Sequence, residues 1–361
     1  MNEWKDCKNI LCVRADNMGD VLMSVPAFRA LKTSFNCRLT LLTSGAGACI
    51  TPHLEDVDDV IISDLPWSAN RHPATETQLA ALIKLLRSRH FDGAVIFTVY
   101  SQNPLPSATL VYMAGIPLRA AYCRENPYRL LTNWLPDEEP FSPIQHQVKR
   151  DMNLTRFIGA HCGDDLIKIH FQKTGVLPFP QGQKYVLFHP GVSETKRQFP
   201  VQLWIAAGKL LQQKTGLPIV VTGIESERLL ADKICGGIVE NAFSMAGKLN
   251  INEWINVIHH ASVVVSVNTS TAHIAAATQT PVVVLYAATN PQHTPWKVAS
   301  KVLYFPVALP ARSKNTMVKY GADKMDQNLS FPTAEDIFAA IKYLRLHPQY
   351  EPDENVGMNF F

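Results

Sequence analysis

Several things are missing from this sequence, and each absence narrows what it does. Its seven cysteines, Cys7, Cys12, Cys37, Cys49, Cys123, Cys162 and Cys235, are scattered and odd in number, with no CxxC pair. That excludes a cysteine-rich metal site and suits a reduced protein without a disulfide framework. No apolar run approaches the roughly 18 residues of a membrane-spanning helix. The start, MNEWKDCKN, has no apolar segment, so no signal peptide and a cytoplasmic location are expected. A dominant charge is also lacking. The 34 basic and 31 acidic residues leave a net charge of +3, too little to argue for nucleic acid or a general membrane affinity. There is no Gly-x-Ser-x-Gly elbow of a serine hydrolase. SGAGACI offers Gly45-x-Gly47 but no third glycine, so it is not a dinucleotide fingerprint. The acidic stretch Glu55 to Asp59 reads as a solvated turn, and His259 and His260 are helical neighbours that do not face each other. No metal site is expected.

What is present is alternation. Apolar runs NILCVR, RLTLLT, DDVIIS and GAVIFTV in the first half, and YVLFHP, PIVVTG, SVVVSV and PVVVLY in the second, are separated by helical patterns. Continuous apolar strands between helices imply parallel sheets covered on both faces. At 361 residues the chain is too long for one small core. The expected fold is α/β with two Rossmann-like, doubly wound domains facing an interdomain cleft. The Pro- and Gly-rich stretch HFQKTGVLPFPQGQKY marks the join. The expected bounds are 1–172 and 183–332, then a helix over 333–347 and a loose tail over 348–361. Thr333, three residues before Asp336, is a plausible N-cap of that helix.

Three stretches fall at the carboxyl ends of strands, where open α/β sheets bind ligands. In VRADNMGDVLMSVPAFRALK, Asp20 follows a turn glycine, Gly19. It reads either as a helix N-cap or as a carboxylate base. Asp16, four residues earlier, reads as the loop end of the strand. In HPGVSETKRQFP, Gly191 and Ser193 suit a turn whose amides face an anion, and Lys196 and Arg197 supply positive charge. A solvated basic pair is the plainer alternative. In SVVVSVNTSTAHIAAATQTPVVVLYAATNPQHTPW, the strand ends at Asn268. Thr269, Ser270 and Thr271 then open a helix of small residues, whose N-terminus favours phosphate. An ordinary capped βαβ unit is the alternative there, and His273 alone reads equally as a packed core histidine.

Together, ILCVRADNMGDVLMSVPAFRALK, HPGVSETKRQFPVQLW and VNTSTAHIAAATQTPVVVLYAATNP with HTPW resemble the lipopolysaccharide heptosyltransferases, glycosyltransferase family 9. AGKLNINEWINVIHHASVVVSVN and IQHQVKRDMNLTRFIGA fit between these anchors in the family's order. The resemblance implies the GT-B architecture, with an acceptor-binding first domain and a nucleotide-sugar-binding second domain. It implies an inverting, metal-independent enzyme that moves heptose from an ADP-activated donor to a lipopolysaccharide core sugar. The nucleotide sugar is a co-substrate, and no cofactor is implied. Asp20 matches the family's proposed general base. Lys196 or Arg197 matches the lysine that contacts the donor's phosphates. Glu225 matches the acidic residue that meets the ribose. Asn268, Thr269, Ser270, Thr271 and His273 match the segment that holds the diphosphate, with Gly191 and Ser193 on the same edge. An anionic, lipid-linked acceptor would meet Arg71, Arg119, Arg124 and Arg129, with His146, Lys149 and Arg150 as weaker candidates. Such an acceptor implies peripheral contact with the cytoplasmic face of the inner membrane and no nucleic-acid partner.

One departure stands out. The family carries an aspartate, a Thr or Ser, and a glycine where this chain has Asn268, Thr269 and Ser270. A neutral carboxamide there implies a changed donor choice or a reduced activity. Two rival readings follow. One is a GT-B transferase using a different nucleotide sugar for another glycan. The other is a catalytically silent nucleotide-binding module.

Overall fold

A computed structural model describes residues 3–68, 73–173, 179, 182–289, 291–308 and 329–350, and among these residues twelve strands pair in parallel with helices between them. Two units separate by their internal contacts, Met1–His170 and Phe171–Phe361. In the first, the order is β1 (Asn9–Arg14), α1 (Met18–Phe35), β2 (Arg38–Thr43), α2 (Gly45–Ala48), β3 (Asp59–Ile62) and α3 (Glu76–Ser88). It continues with β4 (Gly93–Ile96), α4 (Leu105–Met113), β5 (Leu118–Cys123), β6 (Asn133–Pro136) and α5 (Gln147–Phe157). The second runs β7 (Val186–His189), α6 (Val201–Thr215), β8 (Ile219–Val221), α7 (Arg228–Ile238), β9 (Ala242–Ser244) and α8 (Ile251–His260). It ends with β10 (Val263–Val267), α9 (Ser270–Ala277), β11 (Val282–Ala287), β12 (Ser300–Phe305) and α10 (Ala334–Leu346).

The sheets are ordered β3-β2-β1-β4-β5-β6 and β12-β11-β10-β7-β8-β9. These are the same topology. Each unit starts with a central strand, winds out to one edge, then returns to the other side of its first strand. That is the Rossmann order, and it puts a topological switch point between β1 and β4 in one sheet and between β7 and β10 in the other. The registers Val13 to Ile96 and Ser266 to His189 place those strand ends side by side.

The central strands are those legible as apolar runs. β4, β7, β10 and β11 are buried at every position, as expected for strands covered on both faces. Four strands are not among the runs read from the sequence. β6, β9 and β12 are edge strands with partly exposed side chains. β5, LRAAYC, is buried but holds an arginine and two alanines in place of branched residues. Cores form on each sheet separately. In the second unit Trp204 of α6 is fully buried between Phe188, at 5.1 Å between ring centroids, and Phe199, at 5.9 Å.

Helix ends follow local chemistry. Thr333 does cap α10, in a capping box with Asp336: each residue's side chain accepts the other's amide, at 3.2 and 2.9 Å. Thr75 with Gln78 and Asn250 with Glu253 form the same device on α3 and α8. α6 stops at Gly216, whose φ of +66° is the left-handed C-cap that glycine adopts without strain. No helix among the described residues is long and apolar enough to cross a membrane.

Candidate functional site

In the first unit the chain leaves β1 through Ala15, Asp16 and Asn17. Asn17 is the N-cap residue of α1, and its side chain makes no capping bond. Asp20 is therefore the third residue of the helix and does not cap it. Its amide and that of Val21 both donate to the Asn17 carbonyl, at 3.0 and 3.1 Å. The Asp20 carboxylate pairs instead with Arg14, whose Nη2 donates to Oδ1 at 3.3 Å. Arg14 is fully buried at the end of β1, and its Nε lies 3.5 Å from Asp16 Oδ2. Asp16 lies in the loop and accepts a 2.6 Å hydrogen bond from Gln102, which follows β4. Burial raises the Asp16 carboxyl above its ordinary value. Arg14 pulls it back and Asp20 adds to the rise.

A third carboxylate, Asp151 of α5, stands behind this pair. It accepts from Ser24 of α1 at 2.6 Å and from Gln147 at 2.7 Å. Burial pushes it up to about 6, against the opposing pull of Arg14, Ser24, Gln147 and Arg150. Arg14, Gln102 and Asp151 had no role in the sequence reading. An arginine ending a buried strand next to two aspartates, in VRADNMGD, was the available signal.

The predicted acceptor arginines are scattered in role. Arg119 is buried, and four of its N–H groups donate to the carbonyls of Ile116, Pro117, Arg129 and Leu130. That work is structural, and it corrects the expectation of an acceptor contact. Arg124 reaches the Tyr100 and Glu139 carbonyls and lies 3.4 Å from Asp137, with its side chain partly exposed. Arg129 is exposed. Arg71 lies outside the described residues. His146 caps α5 through Nδ1, and Lys149 is exposed. Arg150 makes a bidentate pair with Asp137, at 3.0 and 2.9 Å. In the acidic stretch, Asp56 pairs with Arg29, Asp58 with Lys32 and Asp59 with Arg89. These are ion pairs, so the stretch is less a solvated turn than expected. Among the described residues no three His, Cys, Asp or Glu side chains are grouped to hold a metal ion.

In the second unit the chain leaves β7 through Gly191 to a short 3-10 turn, Thr195–Arg197. Glu194 sits between the two cations: Lys196 Nζ is 2.6 Å and Arg197 Nη2 2.9 Å from its carboxylate oxygens. Burial works against Glu194 ionising, but Arg197 and Lys196 outweigh it and hold the carboxyl below its ordinary value. Glu194 was missed in the sequence, although SETKR shows it two residues from the lysine. Arg197 Nη1 also donates to the Asn268 carbonyl at 3.3 Å, which ties the basic turn to the end of β10. Gly191 has a packing reason: a Cβ there would strike the carboxylate of Glu227, which accepts the Ile224 amide at 2.9 Å. Ser193 is exposed. Glu225 is exposed, pairs with Arg228 at 2.9 Å, and lies over Gly247.

Beyond β10, the Asn268 carboxamide is buried and turned to β11. Its Oδ1 accepts the Ala287 amide at 3.2 Å, and Nδ2 reaches Thr289 Oγ1 at 3.4 Å. Thr269 is the N-cap residue of α9 but makes no side-chain capping bond; its hydroxyl goes to Thr271 instead, at 3.2 Å. The first-turn amides of α9 are thus not closed by their cap, and an uncapped helix start attracts anions. Ser270 opens the helix and is partly exposed. His273 is buried, and its pKa falls to about 4 through burial, with Arg197 adding to the fall. His189 falls likewise to about 4 through burial alone and meets Thr222 Oγ1 at 3.0 Å. Within this unit, then, Glu194 joins Lys196 to Arg197, and Arg197 joins that turn to Asn268, one residue before the N-cap of α9. Glu225 pairs instead with Arg228.

Two cations, both paired with Glu194, and an uncapped helix start thus follow the neighbouring strands β7 and β10. Residues 79–320 match the family described as glycosyltransferase family 9 (heptosyltransferase). The chain belongs to that family. It is accordingly a glycosyltransferase, with the GT-B fold of two Rossmann-like domains. Among similar proteins, lipooligosaccharide heptosyltransferase 2 of Haemophilus influenzae is 22% identical over 310 residues, covering 80% of this chain and 85% of that one. Lipopolysaccharide heptosyltransferase 3 of Escherichia coli is 29% identical over 358 residues, covering 94% and 99%. Solved structures agree in fold. The E. coli ADP-heptose lps heptosyltransferase II superposes with a TM-score of 0.70 at 18% identity, over 94% of this chain and 99% of that one. The E. coli heptosyltransferase WaaC with ADP-2-deoxy-2-fluoro heptose gives 0.69 at 21%, over 92% and 99%.

Proposed function

We propose that this glycosyltransferase transfers heptose from an ADP-activated donor to a core sugar of lipopolysaccharide, with inversion and without a metal ion. The observation that carries the reading is the arrangement in the second unit: Lys196 and Arg197 share Glu194 in one turn, and Arg197 is bonded to Asn268, next to the uncapped start of α9. That set suits a diphosphate leaving group. The heptosyltransferase names of the relatives and the ADP-heptose analogue bound by WaaC support the choice of donor and acceptor.

The first unit supplies the acceptor side. An acceptor hydroxyl is a weak nucleophile until its proton has somewhere to go. Asp20, at the carboxyl edge of the first sheet, takes that proton as the oxygen attacks the anomeric carbon from the face opposite the nucleotide. The bond from the anomeric carbon to the diphosphate oxygen breaks, and ADP leaves with the electron pair. Lys196, Arg197 and the α9 start stabilise the charge that develops there. Glu225 meets the ribose. Gly191, Ser193, Asn268, Thr269, Ser270, Thr271 and His273 shape the donor edge, with Asn268 acting through the end of β11. Arg124 and Arg129 are the described arginines offered to an anionic acceptor. A lipid-linked acceptor brings the enzyme to the inner face of the cytoplasmic membrane as a peripheral protein.

The test is a panel of nucleotide sugars offered to wild type, Asp20→Ala and Asn268→Asp. ADP-heptose is expected to bind both wild type and Asp20→Ala with similar affinity. Transfer to truncated lipopolysaccharide core acceptors should fall in Asp20→Ala by about 10²- to 10⁴-fold, the usual size of a general-base contribution. Near-full transfer by Asp20→Ala removes the base assignment. The neutral Asn268 favours a second reading, a different donor. Selection of a UDP-, GDP- or dTDP-sugar, with a return to ADP-heptose in Asn268→Asp, would establish it.

A further inference from the structure

The first turns of α1 carry Asp20, and the helix itself ties them weakly. Asn17 stands at the N-cap without a side-chain capping bond, and Pro26 lies inside the helix. Proline has no amide, so the carbonyl four residues earlier, that of Leu22, loses its helical donor. The stretch from Met18 to Val25 thus lacks an ordinary helix bond at each end. Ser24 supplies a tether across the fold. It is fully buried, and its hydroxyl lies 2.6 Å from Asp151 Oδ2 and 3.2 Å from the Asp20 carbonyl. A hydroxyl has one proton to give, and the shorter distance assigns it to the Asp151 carboxylate. In this way α5 holds α1 one turn after Asp20.

Asp151 accepts that proton only as a carboxylate. Its other oxygen accepts from Gln147 at 2.7 Å, so both oxygens act as acceptors. Arg14 favours the charge from β1, and Arg150 from the same helix. Cys12 of β1 and Tyr122 of β5 also feel it, and burial keeps both of those groups protonated. Burial opposes the charge and outweighs these partners, which brings Asp151 up to about 6. Once protonated, one of its oxygens becomes a donor. Ser24 then accepts from Asp151 and turns its own proton to the Asp20 carbonyl. The link between the helices loses its charge-assisted bond, which is roughly twice as strong as a neutral one.

We propose that Asp151 is a positioning residue: as a carboxylate it pins Ser24, and so fixes the turn of α1 that presents Asp20 to the acceptor. The inference rests on Asp20 being the general base. It goes further in making the placement of that base depend on a buried group of another helix, 127 residues from Ser24 along the chain.

The experiment measures kcat for transfer from ADP-heptose to truncated core acceptors between about pH 5 and pH 8. It compares wild type, Ser24→Ala, Asp151→Asn, the double variant of those two, and Asp20→Asn. Asparagine has the shape of the protonated acid, with one acceptor oxygen and a donor in place of the other. Wild-type kcat should show a step centred at about pH 6. Its upper level should stand about tenfold above the lower, since small displacements of a reacting group are expensive. Asp151→Asn should sit at the lower level throughout, without the step. Ser24→Ala should do the same, because Asp151 still titrates but is no longer joined to α1. The donor KM should stay within about twofold in both. The double variant should fall no further than either single one, as expected for two ends of one link. A wild-type profile without the step, or the same step kept in both variants, overturns the proposal. If Asp151→Asn does not fold, Ser24→Ala decides. Near-full transfer by Asp20→Asn would sink the base reading and this one together. A dead Asp20→Asn, with Ser24→Ala and Asp151→Asn at the wild-type level, would sink only the role of Asp151.

Discussion

Glu194 occupies both cations that the donor's diphosphate is proposed to use, and replacing it by Gln tests that competition. The carboxylate lies 2.6 Å from Lys196 and 2.9 Å from Arg197, and its own side chain is 44% exposed. Partly exposed pairs of this kind are each worth about 0.2–1 kcal/mol. An incoming diphosphate must therefore give up about 0.4–2 kcal/mol to displace Glu194 from both partners. Glu194→Gln keeps the shape of the side chain and removes its charge. ADP should then bind about 2- to 30-fold more tightly, because 1.4 kcal/mol is tenfold in Kd. Calorimetric titration with ADP reads this directly. The gain should shrink at about 0.5 M salt, where exposed charges are screened over a few ångströms. Lys196→Ala in the same assay should weaken ADP. An unchanged or weaker affinity for Glu194→Gln at low salt refutes the reasoning. It would mean that Glu194 orders the two cations for the donor, with no competition.

Two further expectations concern stability. His189 and His273 are both held neutral by burial, down to about 4 against an ordinary value of 6.5. The unfolded chain takes up these protons first, so their contribution is complete above pH 6.5 and is lost as the pH falls towards 4. The gap of about 2.5 pH units corresponds to about 3 kcal/mol for each histidine. Chemical denaturation at pH 7.5 and pH 4.5 should show the loss, and it should be smaller in His189→Gln. An equal pH dependence in that variant would remove His189 from the explanation. Gly93 packs directly on the buried Trp4 ring, and an added Cβ would come within 2.6 Å of it. Gly93→Ala should cost about 1–3 kcal/mol by overpacking, seen as a lower denaturation midpoint with unchanged ADP affinity. An unshifted midpoint would show that the ring moves aside freely.

Much of this enzyme was legible without coordinates. The branched apolar runs gave eight strands, because strands buried on both faces leave no room for polar residues. The capping box of α10 was visible as Thr333 and Asp336, since capping is a contact between residues three apart. The basic turn and the segment from Asn268 could be placed at one sheet edge from the sequence, because they follow β7 and β10, which are neighbours in one sheet. Edge strands β6 and β9 were invisible, as short, half-exposed strands carry little apolar signal, whereas β12 was missed although it holds the run Val302 to Phe305.

What escaped the sequence depends on partners distant along the chain. Nothing local distinguishes Arg119, bonded to four carbonyls, from the exposed Arg129, yet their surroundings give them different work. The linear pattern allowed Asp20 to be a helix cap. Only the folded chain shows Asn17 at the cap and Asp20 against Arg14, with Asp151 brought in from a helix more than 100 residues away. Hydrophobic periodicity is a short-range code and determined the two Rossmann topologies. Charge pairing is set by distances across the fold, and those were decided when β1, α1 and α5 packed together.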